Sequence, residues 1–209
     1  MPSPGDSRAT FDAAAAAFLA QVEQIPREAY AGPGLGTWDL RALVGHTGRS
    51  LVTVAEYLPT RADTVEAASP AAYFAQASRL DASDGSGALV ARGVAAGEAL
   101  GDDPAATLHA SYAAATAALD ELAGSDPVIS TFCGGMRVSD YLPTRTFELV
   151  VHGLDIAAAT GIELAPPPAA LAEAVGVATQ SALELGLGAD VLLALTGRRA
   201  LPEGCSVVP

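Results

Sequence analysis

Between residues 10 and 22 the side chains of Phe11, Phe18, Leu19 and Val22 recur at helical spacing through an alanine-rich run. They predict a helix that Pro26 must end. The following AGPGLG (31–36) holds four turn formers and reads as a loop. Thr37 is the expected N-cap of a second helix running to about Leu58, closed by Pro59. Residues 62–101 break into shorter helical pieces at Pro70 and at DASDGSG (81–87). A third long helix is expected over 104–123, with Pro104 in its first turn and Gly124 just past its end. In DPVISTFCGGMRV (126–138) the β-branched residues and a Gly-Gly turn suggest a short hairpin. Ser139 is the expected cap of a fourth long helix ending near Thr160 and Gly161. IELAPPP then reads as a linker before helical segments 168–186 and 189–196 and a polar tail. No fixed-period repeat is present. The expected fold is all-α: a four-helix bundle over 1–165, extended by helices and a tail over 166–209 in the same compact unit.

The fourth helix carries an unusual polar pattern. Arg145, Glu148, His152 and Asp155, spaced +3, +4 and +3, fall on one stripe. Leu142, Leu149 and Ile156 flank it on one side, and Phe147, Val151 and Leu154 on the other. A helix this apolar should be buried, with the stripe turned into the bundle. The competing reading is a solvated face on which Glu148 and His152 form a weak i,i+4 pair. Glu148 and His152, one turn apart, suit two ligands to one metal ion, and a third must then come from another helix. His46, among Leu43, Val44 and Leu51 of the second helix, is the best candidate. Two imidazoles and one carboxylate leave coordination positions open, as catalytic sites do, and suit Zn²⁺ but also Ni²⁺, Fe²⁺ or Mn²⁺. His109 has no acid near it in sequence and reads as structural.

Composition narrows the field. The chain has 209 residues, 50% hydrophobic and 17% charged, enough to bury a core and too apolar for a disordered chain. Alanine is about a fifth of it, which favours helix. The net charge is -13 and every basic residue is Arg. That field repels nucleic acid and anionic lipid, so neither partner is expected. The start of the sequence lacks a basic n-region, so no signal peptide is expected, and AAAAAFLA (13–20) is too short to span a bilayer. The expected setting is the cytoplasm, as a monomer or homodimer. Cys133 and Cys205, far apart and outside any CxxC, read as free thiols.

TWDLRALVGH in the second helix, followed a hundred residues later by RTFELVVHGLD, resembles the DinB-like metal-dependent helix bundles. More closely, it is similar to the actinobacterial mycothiol-dependent maleylpyruvate isomerase and mycothiol S-transferase group. The tail LTGRRALPEG is similar to the C-terminal end of such proteins. The resemblance implies one divalent metal at the open end of a bundle, held by His46, Glu148 and His152. It also implies mycothiol as a low-molecular-weight thiol cosubstrate. The isomerase proper has a sizeable domain after its bundle, whereas about 45 residues follow Gly161 here.

The expected activity is therefore S-transfer to, or cis–trans isomerisation of, a small electrophile by a metal-held thiolate. Asp155, one turn past His152, could accept its ring N–H or lie at the rim of the pocket. Arg145 or Arg49 could bind an anionic part of the substrate, a structural ion pair being the alternative for each. Arg198 and Arg199 are weaker candidates for the same role. Two other classes stay open: a thiol-independent Lewis-acid hydrolase, lyase or cyclase on the same bundle, and a non-catalytic helical binding module.

Overall fold

The computed structural model describes residues 4–84 and 87–208. The first long helix, α1, is Pro4–Val22, six residues longer at its start than its apolar spacing suggested. Phe11, Phe18, Leu19 and Val22 are all buried. A 3-10 turn at Arg27–Ala31 leads into the glycine-proline loop.

The second helix, α2, is Leu40–Tyr57, and its cap is Asp39 rather than Thr37. The Asp39 carboxylate accepts from the Ala42 amide at 2.7 Å. Thr37 is held instead in a turn closed by Gly34 N–H to Trp38 O (3.0 Å) and Trp38 N–H to Leu35 O (2.9 Å).

Two shorter helices follow, α3 (Pro70–Asp84) and α4 (Gly87–Ala99). Pro70 starts α3 rather than interrupting a helix, as the missing N–H of proline favours. The break expected at 81–87 falls partly on residues 85 and 86, which lie outside the described residues. Helix α5 is Pro104–Glu121, capped by Asp103 through the Ala106 amide at 3.0 Å.

The hairpin exists, but its turn is Phe132–Cys133. Strands β1 (Val128–Thr131) and β2 (Gly134–Arg137) pair Thr131 with Gly134, so both glycines lie in a strand. Gly135 lets the backbone of residues 64–67 come close, and its carbonyl accepts from the Glu66 and Ala67 amides at 2.8 and 3.1 Å.

The fourth long helix, α6 (Val138–Thr160), begins where β2 ends. Ser139 is not its cap but lies inside its first turn. Asp126 supplies the capping instead, accepting from the Ser139 amide and hydroxyl at 2.9 Å each. Pro143 cannot donate to the Ser139 carbonyl, and the Ser7 hydroxyl of α1 reaches that oxygen at 3.4 Å. Gly161, at φ 74°, closes the helix in the left-handed conformation.

Helices α1, α2, α5 and α6 form the bundle, with α6 packed on α1 and α2, and α5 packed on α2 and α1. Helix α7 (Pro168–Glu184) lies on α6 and α3, and α8 (Gly188–Leu195) packs on α7. The bundle interior is one apolar core running from Phe11 and Phe18 through Leu43, Leu51 and Val54 to Leu142, Leu149 and Ile156. No described helix is long and apolar enough to cross a membrane. The expected all-α bundle is the observed one.

Helix α4 is pressed onto α2 unusually closely. A Cβ at Gly45 would meet backbone atoms of Gly97 and Ala96 at 2.3 to 2.6 Å, and one at Gly97 would meet those of Arg41 and Ala42 at 2.9 to 3.0 Å. Only glycine on both sides permits this approach. It fixes the residue next to Gly45, which is His46.

Candidate metal centre

His46 leaves α2 toward α6. Trp38 stacks on its ring at 4.7 Å between centroids and is itself held by α4: Trp38 Nε1–H donates to Val90 O at 3.1 Å. The indole also lies where a Cβ on Gly93 would sit, 2.4 to 2.6 Å away. From α6, Glu148 and His152 meet His46. Glu148 Oε2 lies 3.1 Å from His152 Nε2 and 3.8 Å from His46 Nε2, and the two imidazoles pack edge to face at 5.0 Å. One ligand atom from each residue falls within 4.8 Å of the others. On its other side His152 Nδ1–H donates to Asp155 Oδ2 at 3.0 Å.

The electrostatics of this cluster are set by burial and by its own charges. Burial drives the His46 imidazole down to about 4, so it is neutral at pH 7, and its buried Nδ1 has no hydrogen-bond partner. For Glu148, burial pushes the carboxyl up, but the His152 hydrogen bond and the charges of His152, Arg145 and His46 outweigh it and hold it at about 2. For His152, burial pushes the ring down, but Asp155 and Glu148 raise it to about 9, so two carboxylates share one imidazolium. A neutral imidazole, an ionised carboxylate and a second imidazole oriented by an outer carboxylate form a donor set that fits a divalent ion.

The cluster opens into a cavity of about 360 Å³ walled by Leu35, Trp38, Phe74, Ala77, Leu89 and Val90. Arg145 and Arg49 both line it. Arg145 is 7% exposed, and no described carboxylate lies within ion-pair distance of it, although Glu148 acts on its charge from farther away. Its guanidinium lies against the rings of Tyr141 (5.0 Å) and Tyr73 (5.2 Å). Burial works against its charge, but Tyr141, Tyr73 and Glu148 outweigh that and keep it protonated. From Arg145 to His152 the polar stripe of α6 therefore faces inward, and the solvated-face reading does not hold. Leu154, expected in the core, is exposed.

Other candidates lie elsewhere. His109 does have an acid, supplied by α1: its Nε2 is 2.7 Å from Glu23 Oε1 on the surface. Arg198 and Arg199 do not line the cavity, and Arg199 pairs with Asp190. Cys133 and Cys205 are free, and burial pushes the Cys133 thiol up to about 12.

Sequence reasoning missed the tyrosines around Arg145. Tyr141 was in reach, since it stands four residues before Arg145 and extends the same stripe. It also missed Arg92 and Phe132 at the cavity, which stack at 5.5 Å and come from segments without a readable motif.

Fold and cluster together define the class: an all-α, DinB-like bundle with a candidate centre for one metal ion. Residues 11–157 match the model of the mycothiol maleylpyruvate isomerase N-terminal domain, and the chain belongs to that family. Neither a curated protein nor a solved structure matches it. The family is one of mycothiol-related, metal-dependent function.

Proposed function

We propose that the protein is a divalent-metal-dependent enzyme in which a mycothiol-like thiol is transferred to, or isomerises, a small electrophile. The observation that carries this reading is the convergence of His46, Glu148 and His152 on one point at the floor of a largely apolar cavity, in a chain of this family. Two helices present the three donors, and His46 arrives neutral, ready to give its lone pair. Asp155 holds the proton on His152 Nδ1, which leaves Nε2 as the ligating atom. Trp38 blocks the ring of His46 from turning away. A Zn²⁺ there, or Ni²⁺, Fe²⁺ or Mn²⁺, would act as the Lewis acid that keeps a thiol ionised near neutral pH. The apolar walls keep water from competing for that nucleophile. Arg145 and Arg49 are the groups on hand for an anionic part of the substrate.

Cobalt substitution followed by titration with mycothiol tests this reading. The expected result is a change in the visible spectrum at submillimolar thiol. A spectrum unmoved at millimolar mycothiol would refute thiol chemistry and leave a Lewis-acid hydrolase, lyase or cyclase as the reading to pursue.

A further inference from the structure

Beyond α8 the chain runs as an arm that stays exposed until its last described residues. From Leu195 to Gly204 every residue is exposed, Leu201 among them. A turn closed by Cys205 N–H to Pro202 O at 3.1 Å, with Gly204 at φ 70°, ends that stretch. After the turn, Val207 and Val208 pack against the core, and Val208 lines the cavity that holds His46, Glu148 and His152.

Apolar contact is what holds these residues there. Among the described residues, each hydrogen bond of residues 201–208 closes within the segment. One is the turn over 202–205; the others belong to Ser206 Oγ, which accepts from the Val208 amide at 3.2 Å and donates to the Val208 carbonyl at 2.8 Å. The cavity meets the segment with an apolar rim. Leu35, Val90 and Phe132 line it while remaining more than a third exposed, and they come from the loop before α2, from α4 and from the hairpin turn. A segment held by two half-buried valines, with no hydrogen bond to the body of the protein, lies at the low end of local stability, where lids are found.

We propose that residues 205–208 form a strap over the mouth of the cavity, with Val208 as its plug, and that a ligand reaches the centre only when the strap lifts. Closed, it sets an apolar side chain between solvent and the candidate metal centre. Lifting it costs little more than the apolar contacts of Val207 and Val208, so the open and closed states lie close in free energy. The strap governs access and not the chemistry inside, so it goes beyond the function proposed above and does not depend on it.

Trp38 supplies the test. It is the single tryptophan of the chain, it is 8% exposed, and it lines the same cavity. Quenching of its fluorescence by acrylamide, a small neutral quencher, measures access to the cavity without metal or thiol. In the full chain, Val207→Ser combined with Val208→Ser removes the contacts that close the strap and is expected to raise the bimolecular quenching constant at least about threefold. Leu201→Ser, in the exposed arm, is expected to leave the constant at its wild-type value. Equal quenching in the wild type and the double variant, or a rise of the same size in Leu201→Ser, would overturn the strap. If the double variant does not fold, Val208→Ala, which loses only two methyl groups, decides: a smaller rise supports the strap and an unchanged constant refutes it.

Discussion

The two imidazoles of the cluster carry opposite pH dependences in the metal-free protein, because their surroundings differ. His46 is buried against Trp38 with no partner for Nδ1, and its pKa falls from 6.5 to about 4. Between those values the unfolded chain binds a proton that the folded chain refuses. The stabilisation linked to His46 is therefore complete above pH 6.5 and lost as pH falls toward 4. His152 is the reverse: Asp155 and Glu148 overcome burial and raise it to about 9, so the folded chain holds a proton that the unfolded one releases. Its stabilisation is complete below pH 6.5 and lost as pH rises through 9. Chelator-treated protein should thus be most stable near pH 6.5. Urea midpoints at pH 5, 6.5 and 8.5 check this, with an expected loss of about 1–3 kcal/mol on each side. His152→Asn should remove the alkaline loss and leave the acid one. Midpoints that rise steadily from pH 5 to 8.5 would contradict the assignment. The stripe that places these groups was legible in the sequence, since Arg145, Glu148, His152 and Asp155 follow helical spacing. The environment that tunes them was not, because Trp38, Tyr73 and Val90 arrive from three other parts of the chain.

At the scale of elements, the centre depends on how closely α2 and α4 approach. Gly45 and Gly97 leave room for backbone against backbone, and Gly93 leaves room for Trp38. Gly45→Ala places a methyl group where Ala96 and Gly97 backbone atoms stand, and no side chain can yield to relieve it. The helices must separate, at an expected cost of about 1–3 kcal/mol. A thermal midpoint lowered by several degrees, with weaker metal binding because His46 moves with the α2 backbone, is the expected outcome. An unchanged midpoint would show that the packing is looser than described. Helix existence was readable from apolar spacing, proline and glycine. Helix starts were less so, for physical reasons. Thr37 was a plausible cap, but the turn over residues 34–38 carries the chain past it to Asp39. The α6 start is capped from outside the helix by Asp126, which a local window around Ser139 cannot reveal. Nothing in the sequence of α3 or α4 indicated that they would wall the cavity, because their apolar residues carry no periodicity that names a partner.

The whole molecule joins two requirements that composition alone could not separate. Most of the 24 acidic residues leave the chain with its net charge of -13, yet one of them, Glu148, sits with two of the three histidines in the lining of a largely apolar cavity. Such a centre ties the packing of α2 on α6 to the chemistry between them, and an ion bound only by the folded state would stabilise that packing by mass action. The third histidine, His109, lies on the surface beside Glu23 and serves as a built-in control. The assignment of His46, Glu148 and His152 as the ligands of one divalent ion is the proposal on which the rest depends. Its most direct test is metal stoichiometry by elemental analysis of protein purified without chelator, for the wild type and for His46→Ala, Glu148→Gln and His109→Ala. One ion per chain in the wild type and in His109→Ala, with loss from the other two, is the predicted result. A wild type without metal, or a His46→Ala variant at full occupancy, would contradict it.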